Sequence, residues 1–256
     1  MIPRLYIEVP LEEGAEAPLS REQAHYLKNV LRRGEGDNVR LFNGRDGEFA
    51  GVIEMLSKKA GVVALSLQTA AQENEPQIAL YFAPVKRGPL ETIIQKATEL
   101  GAEYFQPIQT ARTVAPKLNL DRLQAISIEA SEQSGRCTIA KIHAPQKLEK
   151  ILENWPNDRG LIFCDEAGDD ETQEWGGPEG RAGPMLDALK HADSSADNWA
   201  VLIGPEGGFT PVERALLRSK EFVTPVTLGP RILRADTAAI AALTLLQAAR
   251  GDWRAR

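Results

Sequence analysis

From Ile78 onward, apolar strand-like segments alternate with helix-like segments, and this alternation restricts the fold more than any other feature. Strands joined through helices pair in parallel, because a helical crossover carries the chain back to the end where the strand began. One helix is expected from Pro89 with Gly101 as its stop signal, and another from Asp121 with a polar, exposed end over 129–136. The predicted strands are IALYFA, YFQPI, LIFC, WAVLI and PVTLG. The pattern therefore predicts an α/β domain built on a parallel sheet.

The preceding part of the chain reads as short strands: LYIEV, VRLF, GEFAGVIEM and GVVALSLQ, separated by Asn-Gly and Asp-Gly turn signals. One short helix is expected between Ser20, an N-cap with Gln23 at the capping-box position, and Gly34. These elements predict a small β-rich barrel. The polar run AAQENEPQ has the composition of a linker. We therefore expect two domains, over residues 1–72 and 73–256.

The net charge of −6 argues against a protein that binds nucleic acid, because neutralising phosphates needs a basic surface. The average is misleading, since the stretch from Asn157 to Asn198 alone carries −8 and leaves +2 for the rest of the chain. Within that stretch, the acidic run from Asp165 to Gly183 is expected to be a loop insertion. Three basic clusters lie outside it: Lys28, Arg32 and Arg33; Lys86 and Arg87; Arg231 and Arg234. Charge therefore does not exclude an RNA-binding protein.

The chain contains two cysteines, Cys137 and Cys164, without a CxxC spacing or a partnered histidine pair. This pattern favours neither a disulfide framework nor a metal site. The N-terminal segment lacks the features of a secretion signal, and no stretch approaches the roughly 18 apolar residues of a membrane span. We expect a cytoplasmic protein without a metal.

The segment WAVLIGPEGGFTPVE joins a buried strand to a helix through a glycine loop, residues 204–208. Thr210 is a predicted N-cap, Pro211 fits the first helical position, and Glu213 completes a capping box. Glycines let a ligand approach the backbone, and the helix start offers unpaired N–H groups. The loop lacks both the Gly-Lys-Ser/Thr ending of a phosphate loop and the G-x-G-x-x-G pattern, which disfavours a polyphosphate ligand. Glycines alone are also compatible with a tight connection that binds nothing.

A second segment, VTLGPRILRADTAAIAAL, again ends a strand at a glycine, Gly229, and leads into an alanine-rich helix that Asp236 is predicted to cap. Arg231 and Arg234 stand at its entrance, where a functional role is favoured over plain surface charge. The alanines are small enough for the helix to pack closely against a neighbouring backbone. Together the two segments predict a pocket formed by two loops.

IGPEGGFT and LGPRILRADTA together resemble the signature pair of the SPOUT methyltransferases, and specifically of the RsmE family, which methylates N3 of a uridine in 16S ribosomal RNA. HYLKNVLR, KRGPLETIIQKATELG and EASEQSGR are similar to RsmE segments in the same order, so the resemblance extends over nearly the whole chain. The chain departs from the family at Ala111, where glutamate is common, and at Asp236, which replaces a glutamate.

The resemblance implies a PUA-like barrel followed by an α/β domain with a C-terminal trefoil knot, acting as a homodimer on 16S rRNA or the 30S subunit. It also implies S-adenosyl-L-methionine as the cofactor. Matching motifs place the cofactor against Ile203, Gly204, Pro205, Glu206, Gly207, Gly208, Leu228, Gly229, Arg231, Ile232 and Leu233.

For such a reaction, the uridine N3–H must lose its proton, and the negative charge that develops spreads over two carbonyl oxygens. A nearby cation would stabilise that charge, and Arg136 and Arg234 are the candidates. Glu132 or Glu206 could accept the proton. The residues expected to contact RNA phosphates are Arg4, Lys28, Arg32, Arg33, Lys86, Arg87 and Arg112.

Two alternatives stay open. A SPOUT methyltransferase acting on a ribose 2′-hydroxyl would need no carbonyl stabilisation. A protein that keeps the fold only for RNA binding or ribosome assembly would bind no cofactor.

Overall fold

The protein is described by a computed structural model that covers residues 2–73, 77–114, 117–165, 182–192 and 198–254. It divides into two compact units. The first unit comprises Met1–Asn74 and Ile128–Ile139, and the second comprises Glu75–Ser127 and Ala140–Arg256. The domain boundary after residue 72 stays a prediction, and the sequence contains no signal that Ile128–Ile139 packs with the first unit.

The first unit is built on a five-stranded sheet. Its strands are β1 (Arg4–Tyr6), β2 (Glu16–Leu19), β3 (Asn38–Phe42), β4 (Glu48–Leu56) and β5 (Gly61–Ala70). The order is β1-β3-β4-β5-β2, in which β1 and β3 are parallel and the other pairs antiparallel. Alternate residues of the strands, such as Leu41, Ile53 and Val63, point into one buried apolar cluster. Alternation with period two therefore gives this sheet one buried face.

The predicted helix start in the first unit is confirmed. Ser20 Oγ accepts a hydrogen bond from the Gln23 N–H at 3.2 Å, and Gln23 Oε1 accepts one from the Ser20 N–H at 2.9 Å. Helix α1 spans Arg21–His25 and continues as a π-helical segment, Tyr26–Val30, so the helical region ends before Gly34 as expected. Strand β2 was not predicted, because four residues that include a proline carry little periodic signal.

The second unit contains an eight-stranded sheet in which every pairing among the described residues is parallel. Its strands are β6 (Ile78–Phe82), β7 (Ala102–Gln109), β8 (Lys141–Ile142), β9 (Gln146–Lys147), β10 (Arg159–Cys164), β11 (Gly183–Pro184), β12 (Asn198–Ile203) and β13 (Val223–Thr227). The order is β11-β13-β10-β12-β6-β7-β8, with β9 also paired to β7. The five strands predicted for this part are confirmed, and so is the parallel sheet.

Helices cover both faces of this sheet. They are α2 (Arg87–Glu99), α3 (Leu120–Ser134), α4 (Leu148–Glu153), α5 (Met185–His191), α6 (Pro211–Arg218) and α7 (Ala235–Arg250). On β6, Ile78, Leu80 and Phe82 belong to the cluster that holds α2 and α7, whereas Ala79 and Tyr81 belong to the cluster of α4 and α6. A sheet buried on both faces explains why its strands read as continuous apolar runs. Within the described residues, none of the helices is both long and apolar enough to cross a membrane.

The end of α3 corrects one expectation. The segment 129–136 was expected to be exposed. Glu129 and residues 133–135 are exposed, but Ala130 and Ser131 are buried and Arg136 is only 9% exposed. Arg4 donates hydrogen bonds to the carbonyl oxygens of Ser131 and Arg136, each at 2.7 Å. The polar segment can be buried because its backbone groups have charged partners.

Arg4 and Glu48 form the centre of a buried polar network in the first unit. Glu48 is 4% exposed and accepts hydrogen bonds from Arg4, from Arg40 at 3.1 Å and from Thr69 at 2.6 Å. Burial alone would raise the pKa of Glu48, but the hydrogen bonds from Thr69 and Arg4 and the two arginine charges outweigh burial and lower it. The Arg4 guanidinium also lies 3.9 Å from the centre of the Phe42 ring. This network joins β1, β3, β4 and β5.

Replacing Glu48 with glutamine should reduce the stability of the first unit by about 2 kcal/mol at neutral pH, because Arg4 loses its charged partner. A carboxylate whose pKa is lower in the folded state than in the unfolded state stabilises the fold at pH values above its unfolded-state pKa. This stabilisation is lost as the pH falls through the folded-state pKa. The difference between wild type and Glu48→Gln should therefore shrink below about pH 4. Amide hydrogen exchange in β3 and β4 measures it, with Glu54→Gln, an exposed change on the same strand, as the control. A difference that is constant with pH would contradict the assignment.

Candidate ligand-binding cleft

A cleft of about 600 Å³ lies in the second unit, where β6, β10 and β12 end and α7 begins. In parallel α/β sheets, ligands bind beyond the carboxyl ends of the strands. Of the residues predicted to hold a cofactor, seven line the cleft: Ile203, Gly204, Pro205, Glu206, Gly208, Ile232 and Leu233. Arg234 and Lys86 also line it, and the other walls include Val85, Cys164, Asp165, Phe209 and Asp236. The two predicted loops therefore do meet at one cleft.

Four predicted cofactor residues, Gly207, Leu228, Gly229 and Arg231, are outside the set of described residues that line the cleft. Among the residues that the structure describes, no group of three or more His, Cys, Asp or Glu side chains could hold a metal ion.

The glycine loop has a backbone that requires glycine at two positions. Gly208 has φ of +65°, and its N–H donates a hydrogen bond to the Pro205 carbonyl at 2.8 Å. A Cβ atom on Gly204 would lie 2.6 Å from Cε2 of Phe209, a buried ring that packs edge-on against Phe163. The loop therefore turns tightly and leaves its backbone open towards the cleft.

Helix α6 begins directly after this loop, and its predicted capping box is confirmed. The Glu213 N–H donates to Thr210 Oγ1 at 3.2 Å, and the Thr210 N–H donates to Glu213 Oε2 at 2.8 Å. Pro211 occupies the first helical position. The helix start is thereby fixed by residues within a single turn.

Asp165, directly after β10, lines the cleft. It was expected to belong to an acidic loop insertion and not to a site. Its side chain is 1% exposed and accepts hydrogen bonds from Arg214 Nε at 2.7 Å and from Arg218 Nε at 2.8 Å. Residues 166–181, the remainder of the expected insertion up to Arg181, lie outside the described residues. The sequence does contain an acidic residue directly after a buried strand and two arginines four apart on a later helix, but it does not show that these residues pair.

The start of α7 differs from the prediction. The helix begins at Ala235, so Arg234 is the N-cap and Asp236 lies in the first turn, where its Oδ1 accepts the Thr237 N–H at 2.8 Å. In the first turn, the negative charge of Asp236 still interacts favourably with the positive end of the helix dipole. The buried Ala238 and Ala242 confirm close packing of this helix.

Two of the three predicted catalytic residues belong to the first unit. Arg136 donates from Nε and Nη2 to Thr138 Oγ1 at 3.0 and 2.8 Å, and Glu132 Oε1 accepts the Tyr6 N–H at 2.9 Å. Burial raises the pKa of Glu132 and the charge of Glu129 adds to this, while the Tyr6 hydrogen bond opposes it. The third, Arg234, lines the cleft.

Most residues expected to contact RNA already have protein partners. Arg4 is the buried centre of the Glu48 network, which argues against a phosphate contact. Lys28 donates to the Leu56 carbonyl at 2.8 Å, Arg87 to Glu91 at 2.9 Å, and Arg112 to the Gly207 carbonyl at 2.8 Å. Lys28, Arg32, Arg87 and Arg112 are nevertheless exposed, Arg33 is half-buried, and Lys86 faces the cleft.

Two models of known protein families match this chain. The model described as an RNA methyltransferase domain matches residues 72–247, and the model described as an RNA methyltransferase PUA domain matches residues 19–65. The chain is 32% identical over 243 residues to a protein of Rickettsia conorii named ribosomal RNA small subunit methyltransferase E, covering 94% of this chain and 93% of that protein.

Two solved structures share the fold over nearly their whole length. A methyltransferase from Legionella pneumophila, solved with bound SAM, is 30% identical with a TM-score of 0.80, covering 98% of this chain and 99% of that one. A ribosomal RNA small subunit methyltransferase E from Neisseria gonorrhoeae, bound to S-adenosyl methionine, is 26% identical with a TM-score of 0.79. The match covers 99% of this chain and 100% of that one. The chain belongs to the RsmE family of RNA methyltransferases, with an α/β methyltransferase domain and a PUA domain.

Proposed function

We propose that the protein uses S-adenosyl-L-methionine to methylate small-subunit ribosomal RNA, at N3 of a uridine in 16S rRNA. The observation that carries this proposal is the cleft between the 203–208 and 232–236 loops, in a chain whose relatives are methyltransferases solved with this cofactor.

The cleft fits the proposed cofactor. Its volume of about 600 Å³ lies in the range of small-molecule sites. Apolar side chains such as Val85, Ile203 and Leu233 form part of its wall, and glycine loop backbone is open beside them. Residues Ile203–Glu206, Gly208, Ile232 and Leu233 would hold the cofactor, chiefly through main-chain groups. When bound, the cofactor supplies an activated methyl group, so the protein has to orient the two reactants and stabilise the charge that develops during transfer.

The part of the site that would hold the uridine, the methyl acceptor, needs a cation and a base that takes the N3 proton. Arg234 lines the cleft, and we assign it the stabilisation of negative charge on a uridine carbonyl. Arg136, whose guanidinium is oriented by Thr138, is the second candidate cation. The raised pKa of Glu132 makes it a stronger base than an ordinary glutamate, which suits a proton acceptor near neutral pH. Glu206, exposed beside the cleft, is the other candidate.

The remaining architecture is proposed from the resemblance. Residues 1–72 would form a PUA-like barrel that contacts RNA through Lys28, Arg32 and Arg33, and residues 73–256 a SPOUT domain with a C-terminal trefoil knot. The PUA family match over 19–65 supports the first assignment. A homodimer acting on 16S rRNA or the 30S subunit in the cytoplasm completes the proposal.

Methyl transfer to 16S rRNA or 30S subunits, followed by mass spectrometry of the nucleosides, tests the function. N3-methyluridine is the expected product. A ribose-methylated nucleoside would show the alternative acceptor. No transfer and no cofactor binding would contradict the proposed function and favour a protein that keeps the fold for RNA binding or ribosome assembly.

The cofactor site predicts different effects for two glycine loop variants. Gly204→Ala should weaken binding of S-adenosylhomocysteine at least about tenfold, because the added methyl group displaces Phe209 and overpacking costs about 1–3 kcal/mol. Gly207→Ala should bind like wild type, since its Cβ would meet only Arg112 carbon atoms at 3.7 Å. Isothermal titration measures both. Equal affinity in Gly204→Ala, with the fold retained, would contradict the assigned cleft.

The proposed proton acceptor predicts a pH profile. At saturating cofactor, the single-turnover rate should rise with pH through the raised pKa of Glu132, because the base must be deprotonated. Glu132→Gln keeps an oxygen for the Tyr6 N–H and should lower the plateau rate at least about 100-fold. Glu129→Gln removes only a neighbouring charge that raises the pKa, so its profile should shift to lower pH with the plateau retained. A wild-type profile in Glu132→Gln would remove Glu132 from the mechanism.

A further inference from the structure

The turn after β7, Thr110–Thr113, is hydrogen-bonded to the start of α6, just after the glycine loop, through a carboxylate that also caps this helix. Glu213 is 5% exposed, and its Oε1 accepts the Ala111 N–H at 2.7 Å. Its Oε2 accepts the Thr210 N–H at 2.8 Å and the Thr210 hydroxyl at 2.9 Å. One buried carboxylate therefore joins two segments that lie 102 positions apart.

A second, independent contact joins the same turn to the glycine loop itself. Arg112 Nη1 donates to the Gly207 carbonyl at 2.8 Å. The turn is itself braced, because the Thr113 N–H donates to the Thr110 carbonyl at 3.1 Å and the Thr110 N–H donates to Thr113 Oγ1 at 2.9 Å. The glycine loop is thus attached to a closed turn at Gly207 and at the start of α6.

The chemistry of Glu213 exceeds what a helix cap requires. A capping box uses one acceptor oxygen, which glutamine supplies as well as glutamate. Only an ionised carboxylate presents acceptors in both directions, whereas glutamine would turn a donor towards one of the two backbone N–H groups. The second oxygen of Glu213 is therefore committed to Ala111.

We propose that Glu213 is a positioning residue that holds the glycine loop in its cofactor-binding conformation by tying the start of α6, which follows the loop, to the Thr110–Thr113 turn. The inference rests on the proposed function, because the loop it orders is the proposed cofactor site. Glu213 and Ala111 lie outside the residues that line the cleft, so the link acts on the loop. Loss of the link leaves more loop conformations to be ordered at binding, which lowers cofactor affinity. Once the cofactor is bound, the loop is ordered in either case and the methyl-transfer rate is unaffected.

Two variants break the link from opposite sides. Glu213→Gln keeps the helix cap and replaces the acceptor that faces Ala111. Ala111→Pro removes the donor and keeps the carboxylate, and the second position of a hydrogen-bonded turn is one that proline favours. Ala111→Ser retains the N–H and is the matched control.

The measurements are the dissociation constant of S-adenosylhomocysteine, the single-turnover rate at saturating S-adenosylmethionine, and hydrogen exchange of the 206–208 amides in the free protein. Glu213→Gln and Ala111→Pro should each weaken binding about tenfold, leave the rate within about twofold and speed exchange of the loop amides. The double variant should be no weaker than either single one, because both remove one interaction. Ala111→Ser should behave as wild type.

Wild-type affinity and exchange in both link-breaking variants would overturn the proposal, as would a loss of rate with affinity unchanged. If Glu213→Gln lost its fold, Ala111→Pro would decide the matter alone. A different acceptor would show as a ribose-methylated product. Failure of the proposed cofactor site is also distinguishable, because wild type would then bind no S-adenosylhomocysteine. In that case unchanged loop exchange in the variants would still refute any ordering by Glu213.

Discussion

Parallel pairing of β12 between β6 and β10 is the constraint on which the site depends. Because parallel strands end at the same edge, the segments that follow β6, β10 and β12 must meet there. Burial on both faces fixes the register, since a slip of one residue would send Leu80 and Tyr81 to the wrong clusters. The sheet thus determines where the cleft lies, and the loops determine what it can hold.

Buried carboxylates then fix the loops that the sheet brings together. Asp165 holds two arginines of α6, and Glu213 holds the turn after β7, so the helix that follows the glycine loop is restrained at both ends. Glu48 has the same role among strands of the first unit. A buried charge with complete hydrogen bonding favours one arrangement, because any other would leave it unpaired.

Much of this architecture is predictable from the sequence, since strand periodicity, the Thr210 capping box and the glycine loop are signals carried by neighbouring residues. The packing of 128–139 with the first unit is not, because Arg4 recognises backbone carbonyls that any sequence presents. The bonds of Asp165 to Arg214 and Arg218, and that of Glu213 to the Ala111 N–H, join segments far apart in the chain. A single sequence does not show which distant residues pair. The resemblance predicted a set of cofactor residues, of which seven line the cleft, but it could not show that Arg112, expected to contact phosphate, bonds the Gly207 carbonyl.

The account is tested most directly by restoring this gene to cells that lack uridine-N3 methylation of 16S rRNA and mapping methylated uridines in their small subunits. The expected result is one N3-methylated uridine in 16S rRNA, whose level falls when Gly204→Ala replaces the wild-type gene. Methylation of a ribose instead of a base, or restoration by the Gly204→Ala variant at full efficiency, would contradict the account.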